Sequence, residues 1–116
     1  MTEIETFFSA WSMADSAERG AAIESAVEAG VTYADPRTET PLTGPQALTD
    51  YVGMFTSAAP GATASVVKQD ETQGTARITV AFRMADGMEQ HGQYFVEPSQ
   101  GRIARMTGFV GMGVPE

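Results

Sequence analysis

The sequence predicts an α+β domain: three helices in the first half, segregated on one side of a mainly antiparallel sheet built from the second half. Three observations carry this. Up to Pro60 apolar residues recur at three- and four-residue spacing behind helix-capping signals. From Ala62 onward the spacing changes to two. Turn signals at Asp86-Gly87 and at Pro98-Ser99-Gln100-Gly101 then divide that second half into hairpins.

Taken in order, Thr2 and Glu5 have the spacing of a capping box, and Ile4, Phe7, Phe8 and Trp11 follow as one apolar stripe. Asp15 or Ser16 is placed to cap a second helix with Ala22, Ile23, Ala26 and Val27 inward, and Gly30 reads as its stop. Val31 to Ala34 reads as a short strand ending on Asp35-Pro36. Gly44-Pro45 opens a third helix, since proline in a first turn removes no needed donor. Its inward face is Leu48, Tyr51, Val52 and Phe55, and Pro60-Gly61 ends it. Beyond Ala62 four strands form a meander. In the clearest of them Ala76, Ile78, Val80, Phe82 and Met84 alternate with Arg77, Thr79, Ala81 and Arg83. Asp86-Gly87 makes the hairpin, Met88 to Glu97 returns, and a last strand runs from Arg102 to about Val110.

A chain of 116 residues fits one domain, residues 1–116, and leaves no room for two. With 42% apolar residues it can fill a core. Fifteen acidic against seven basic side chains give a charge of −8, which repels phosphate backbones and anionic lipid, so neither nucleic acid nor membrane is an expected partner. The absence of cysteine excludes disulfides, a thiol nucleophile and thiolate metal ligation. The start, MTEIETFFSAW, is acidic and lacks the pattern of a signal peptide, and no apolar run approaches the ~20 residues that span a bilayer; a cytoplasmic protein is expected. Gly111-Met112-Gly113 is not a nucleotide motif, because no helix follows it.

The stretches "YADP", "TGPQALTDYV", "PGA" and "GRIARMTGF", in this order and spacing, resemble the nuclear transport factor 2-like superfamily, and within it the SnoaL-like polyketide cyclases and ketosteroid isomerases. The resemblance covers nearly the whole chain. It implies a strongly curved sheet forming a cone with an internal pocket, closed by the helices, and a homodimer paired across the outer sheet face. It also implies chemistry. In the isomerase branch the aspartate before proline is the general base, and a helix tyrosine with a strand carboxylic acid forms the oxyanion hole. Asp35 matches the base. The helix tyrosine falls at about Phe7, and the strand acid at Gln93 by counting back from Gly101, so both acidic donors are replaced.

Two readings of Asp35 stand side by side. As a carboxylate in an apolar pocket it is a candidate base, because desolvation disfavours its charge; as Asp before Pro it is a turn residue binding nearby amides. Gln93 is the candidate second catalytic residue, offering an amide N–H to a developing enolate, or else it only fixes a polar group. Tyr33 shares the strand face of Asp35, and His91 and Phe95 share that of Gln93. With Trp11, Tyr51, Phe82 and Met106 they make the expected ligand pocket, or simply core. A lone His91 gives a metal site no support, and no metal or cofactor is expected. The expected function is binding of an apolar, carbonyl-bearing small molecule by a dimer. Cofactor-free isomerisation or cyclisation is the associated chemistry, and a non-catalytic ligand-binding or dimerisation module is the alternative. Limonene-epoxide-hydrolase-like chemistry needs an Asp-Arg-Asp cluster that the sequence does not supply.

Overall fold

Helix α1 (Glu3–Ser9) starts on the expected capping box: Thr2 Oγ1 accepts the Glu5 N–H, and Glu5 Oε1 accepts the Thr2 N–H. The coordinates come from a computed structural model and describe residues 2–111. Met112 and Gly113, and with them most of the Gly111-Met112-Gly113 stretch, lie outside the described residues. Ile4, Phe7 and Phe8 are buried as the stripe requires, while Trp11 sits on a 3-10 turn (Ala10–Ser12) that tightens the end of the helix. In α2 (Ser16–Ala26) the cap is Asp15, whose carboxylate accepts the Glu18 N–H at 2.8 Å. Arg19, a charged residue in that helix, is buried; its guanidinium donates to the carbonyls of Met13 and Ala14 and so ties down the turn before α2.

The stop at Gly30 is corrected by the structure. The helix ends at Ala26, and Val27 is already extended at φ −119°. Strand β1 (Val27–Ala34) is twice the expected length because Val27, Val31 and Tyr33 are all buried along it, and Val27 pairs with Ile103 of the last strand. A two-residue strand, β2 (Leu42–Thr43), was not expected, and two residues are too short to show a period. Helix α3 (Pro45–Ala58) opens on Gly44 at φ +90°, a conformation open to glycine alone at little cost.

The meander is as expected: β3 (Thr63–Thr72), β4 (Thr75–Arg83), β5 (Glu89–Ser99) and β6 (Arg102–Val110). Asp86-Gly87 makes its hairpin, and Gln73-Gly74 and Gln100-Gly101 make two-residue turns with positive φ at both positions, which suits the twist of the strands they join. The sheet order is β2-β1-β6-β5-β4-β3, with β1 parallel to β6 and the other neighbours antiparallel. This mainly antiparallel curved sheet with the helices on one face is the α+β architecture the sequence predicts. Ile78, Val80, Val96, Ile103 and Met106 face the helices and are fully or almost fully buried. Each such side chain contributes about 1.5–3 kcal/mol to holding helices and sheet together.

Among the described residues, no helix is long and apolar enough to cross a membrane.

Candidate functional site

Asp35 leaves the end of β1 with its side chain on the inner face, the face Tyr33 shares. Both of its oxygens are engaged. Oδ1 accepts the backbone N–H groups of Arg37 (2.8 Å) and Thr38 (3.2 Å), while the Thr38 hydroxyl accepts the Asp35 N–H, closing the turn around Pro36. Oδ2 accepts the hydroxyls of Tyr33 (2.7 Å) and Tyr51 (2.5 Å), the latter carried by α3. The two meanings considered for Asp35, turn residue and inward-aimed carboxylate, are therefore each carried by one oxygen.

A third tyrosine completes the cluster. Tyr94 of β5 is 5% exposed, and its ring lies 6.4 Å from that of Tyr33. It lies flat over Gly108 of β6, where a Cβ would fall 2.5 Å from the Tyr94 ring; only glycine leaves room for the ring there. Burial first, then the neighbouring Tyr94 and Asp35, holds the Tyr33 phenol well above the usual tyrosine range. Burial first, then the bond to Asp35, raises Tyr51, with Arg37 pulling the other way. Burial pushes Tyr94 up to about 12; the Tyr33 hydroxyl and Arg37 oppose this and Asp35 adds to it.

These three are the only tyrosines in the chain, so the folded protein will show no phenolate absorbance through pH ~10, where free tyrosine titrates. A phenol kept neutral by folding holds a proton that the unfolded chain has released. Its stabilising contribution is thus intact below pH ~10 and is lost as pH rises from there toward about 12 for Tyr94. Alkaline titration followed by absorbance and circular dichroism together will show phenolate appearing with unfolding. A separate phenolate step near pH ~10 in folded protein would contradict the cluster.

The other expected pocket residues divide by sheet face. Trp11, Tyr51 and Phe82 are brought together, with Trp11 6.1 Å from Tyr51 and 5.5 Å from Phe82 between ring centroids, and Phe55 joins them at 5.2 Å from Trp11. Where the resemblance implies an open cone, aromatic rings thus pack against one another. Trp11 is 4% exposed, while Tyr51, Phe55 and Phe82 are half-buried. Met106 lies beneath Tyr33, its register partner across the parallel pair, and both line a small depression of about 220 Å³ with Pro41 and Arg105.

Gln93, His91 and Phe95 do not join this group. On β5, Gly92, Tyr94 and Val96 are buried, and the residues between them point to the opposite face. Gln93 pairs with Thr79 and Phe109 on that outer face, His91 lies 3.2 Å from Glu89, and Phe95 packs edge-to-face on Phe109. The placement of Gln93 beside Asp35 is therefore corrected: the inward polar side chain of β5 is Tyr94. Its signal was in the sequence, since Tyr94 and Val96 share one parity while His91, Gln93 and Glu97 share the polar one. A second, wider depression of about 1110 Å³ lies elsewhere, as an open groove between α2 and α3 whose lining includes Gly20 and Gly53.

No family sequence profile and no curated protein sequence matches the chain. Solved structures do match it in shape. A proposed isomerase of the SnoaL-like family from Agrobacterium tumefaciens superposes with a TM-score of 0.84 at 21% identity, over 95% of each chain. A protein with a ketosteroid isomerase-like fold from Catenulispora acidiphila, solved in complex with trimethylamine, gives 0.77 at 11% identity, over 97% of this chain and 88% of that one. A proposed polyketide cyclase from Sinorhizobium meliloti gives 0.72 at 17%, over 91% and 92%. The chain has the nuclear transport factor 2-like fold, in the form shared by SnoaL-like and ketosteroid isomerase-like proteins.

Proposed function

We propose that this chain binds an apolar, carbonyl-bearing small molecule at the aromatic end of its interior, and that Asp35 orders the tyrosine hydroxyls there instead of standing free as a base. The observation that carries this is the saturation of the carboxylate. Four donors occupy its four acceptor positions, while the rings on the accessible side, Tyr51, Phe55 and Phe82, remain half-buried. The trimethylamine complex of a protein of this fold supports small-molecule binding.

Proton transfer next to a carbonyl is the second reading, and one feature favours it. Tyr51 is half-buried on a helix, so a ligand that displaces its hydroxyl uncovers Oδ2. β-Tetralone, an apolar ketone with an acidic α-hydrogen, tests both. Its exchange of α-hydrogen for deuterium is followed by NMR with wild-type protein, Asp35→Asn and Tyr51→Phe. The binding reading expects saturable binding with no protein-dependent exchange in any of the three. The catalytic reading expects exchange that falls about 100-fold or more in Asp35→Asn and rises in Tyr51→Phe, where Oδ2 has lost a donor.

The assembly belongs to the same proposal. The outer sheet face carries Phe95 at 40% and Phe109 at 55% exposure, packed on each other and flanked by Arg77 and Arg105. A two-fold dimer through this face covers them. Light scattering at micromolar concentration will give the dimer mass for wild type and the monomer mass for Phe95→Asp/Phe109→Asp. A wild-type monomer would remove the dimer from the proposal.

A further inference from the structure

Trp11 is the single tryptophan of the chain, and its indole nitrogen is buried with no hydrogen-bond partner among the described residues. No other buried side-chain nitrogen or oxygen among those residues is left in this state. A buried donor without an acceptor is costly and rare enough to call for an explanation. The rings around the indole are those of Phe7, Phe8, Tyr51, Phe55 and Phe82. The only hydroxyl among them, that of Tyr51, donates to Asp35 and makes no hydrogen bond with the indole N–H. The neighbouring Ser12 hydroxyl accepts the Ala64 N–H from β3 and makes no hydrogen bond with the indole N–H either. Three of the five rings, Tyr51, Phe55 and Phe82, are half-buried, so the indole lies one side-chain layer beneath the surface.

From this we infer that the Trp11 Nε1–H is the hydrogen-bond donor that recognises the ligand, taking a carbonyl oxygen of an otherwise apolar ring compound that seats among Tyr51, Phe55 and Phe82. The inference rests on the ligand-binding reading above and adds to it the atom that sets specificity. An aromatic-walled site holds hydrocarbons and ketones alike by area. A buried donor waiting for an acceptor separates them, because a hydrocarbon leaves it unpaired. Asp35 and its two tyrosines have a different part: the Tyr33 and Tyr51 hydroxyls already spend their protons on the carboxylate, and they hold the wall in shape.

Two probes of nearly the same shape test this, β-tetralone and the hydrocarbon tetralin. Because the chain has one indole, a nitrogen-labelled sample gives one indole N–H resonance. The inference expects β-tetralone to move that proton resonance downfield and to bind about tenfold or more tightly than tetralin. It expects tetralin to bind without the downfield shift, and Trp11→Phe, which keeps an aromatic filler and loses the donor, to bind both probes equally. If β-tetralone binds while the indole resonance stays in place, or if Trp11→Phe keeps the preference for the ketone, the assignment of Nε1 is wrong and the binding reading survives. If neither probe binds the wild-type protein, the binding reading falls and this inference falls with it. The resonance measurement is made on wild-type protein, so it stands even if the variant fails to fold.

Discussion

Replacing Trp11 by alanine will destabilise the protein by about 3–5 kcal/mol, the range for truncating a fully buried large aromatic. For a domain of this size that lowers the melting temperature on the order of 10–20 °C. The reason is position. Trp11 is 4% exposed and its ring meets five others, from both helices and sheet, so its loss opens a cavity that α1, α3 and β4 all border. Phe82→Ala will cost less, because Phe82 is half-buried and part of its surface is already in water. Trp11→Phe will fall well below the alanine variant in cost, since it keeps most of the volume and removes a donor that has no partner in the unliganded protein. Thermal unfolding of the three variants checks the order. Equal melting temperatures for wild type and Trp11→Ala would mean that this ring does not join the helices to the sheet.

Asp35→Ala will be nearly as damaging, by about 2–4 kcal/mol, and for a different reason. The substitution removes the acceptor of two turn amides, whose loss resembles that of a helix cap, and it strands the hydroxyl of Tyr33, a residue with no exposed surface. Asp35→Asn will cost about 1 kcal/mol. Its amide oxygen can still accept the Arg37 and Thr38 N–H groups, and its amide hydrogens can meet the phenolic oxygens once the tyrosine hydroxyls rotate. Urea unfolding of the two variants measures the difference. If asparagine is as harmful as alanine, the charge of the carboxylate matters and not its hydrogen-bond count. If neither variant is destabilised, the cluster contributes nothing to the fold.

Much of this architecture is legible in the sequence alone. The capping box at Thr2 and Glu5, the cap at Asp15, the proline-led start of α3 and the four-strand meander each rest on local chemistry that acts over a few residues. Where the structure differs from the sequence expectation, the deciding partner lies far along the chain. Glycine often stops a helix, yet α2 ends well before Gly30 because Val27 already pairs with Ile103 as a strand residue. Two-residue β2 exists because β1 offers it an edge. Counting back from Gly101 to Gln93 carries no information about faces, whereas alternation along β5 puts Tyr94 inward and Gln93 outward.

The candidate site divides in the same way. By itself the sequence determined that Asp35 shares a strand face with Tyr33, which follows from the two-residue period, and offered the turn at Pro36 as one of two readings of its carboxylate. It could not decide what else reaches the carboxylate. Tyr51 arrives from α3, sixteen residues on. Tyr94 arrives from β5 and can lie flat only because Gly108 stands on the neighbouring strand. The same holds for the interior: the stripe on α1 marked Trp11 as buried, but only the meeting of five rings from three parts of the chain leaves its N–H without an acceptor. Backbone preference is local and can be read from neighbours in sequence. Hydrogen-bond satisfaction and ring packing belong to neighbours in space, and these are set by sheet register and by how the helices close over it.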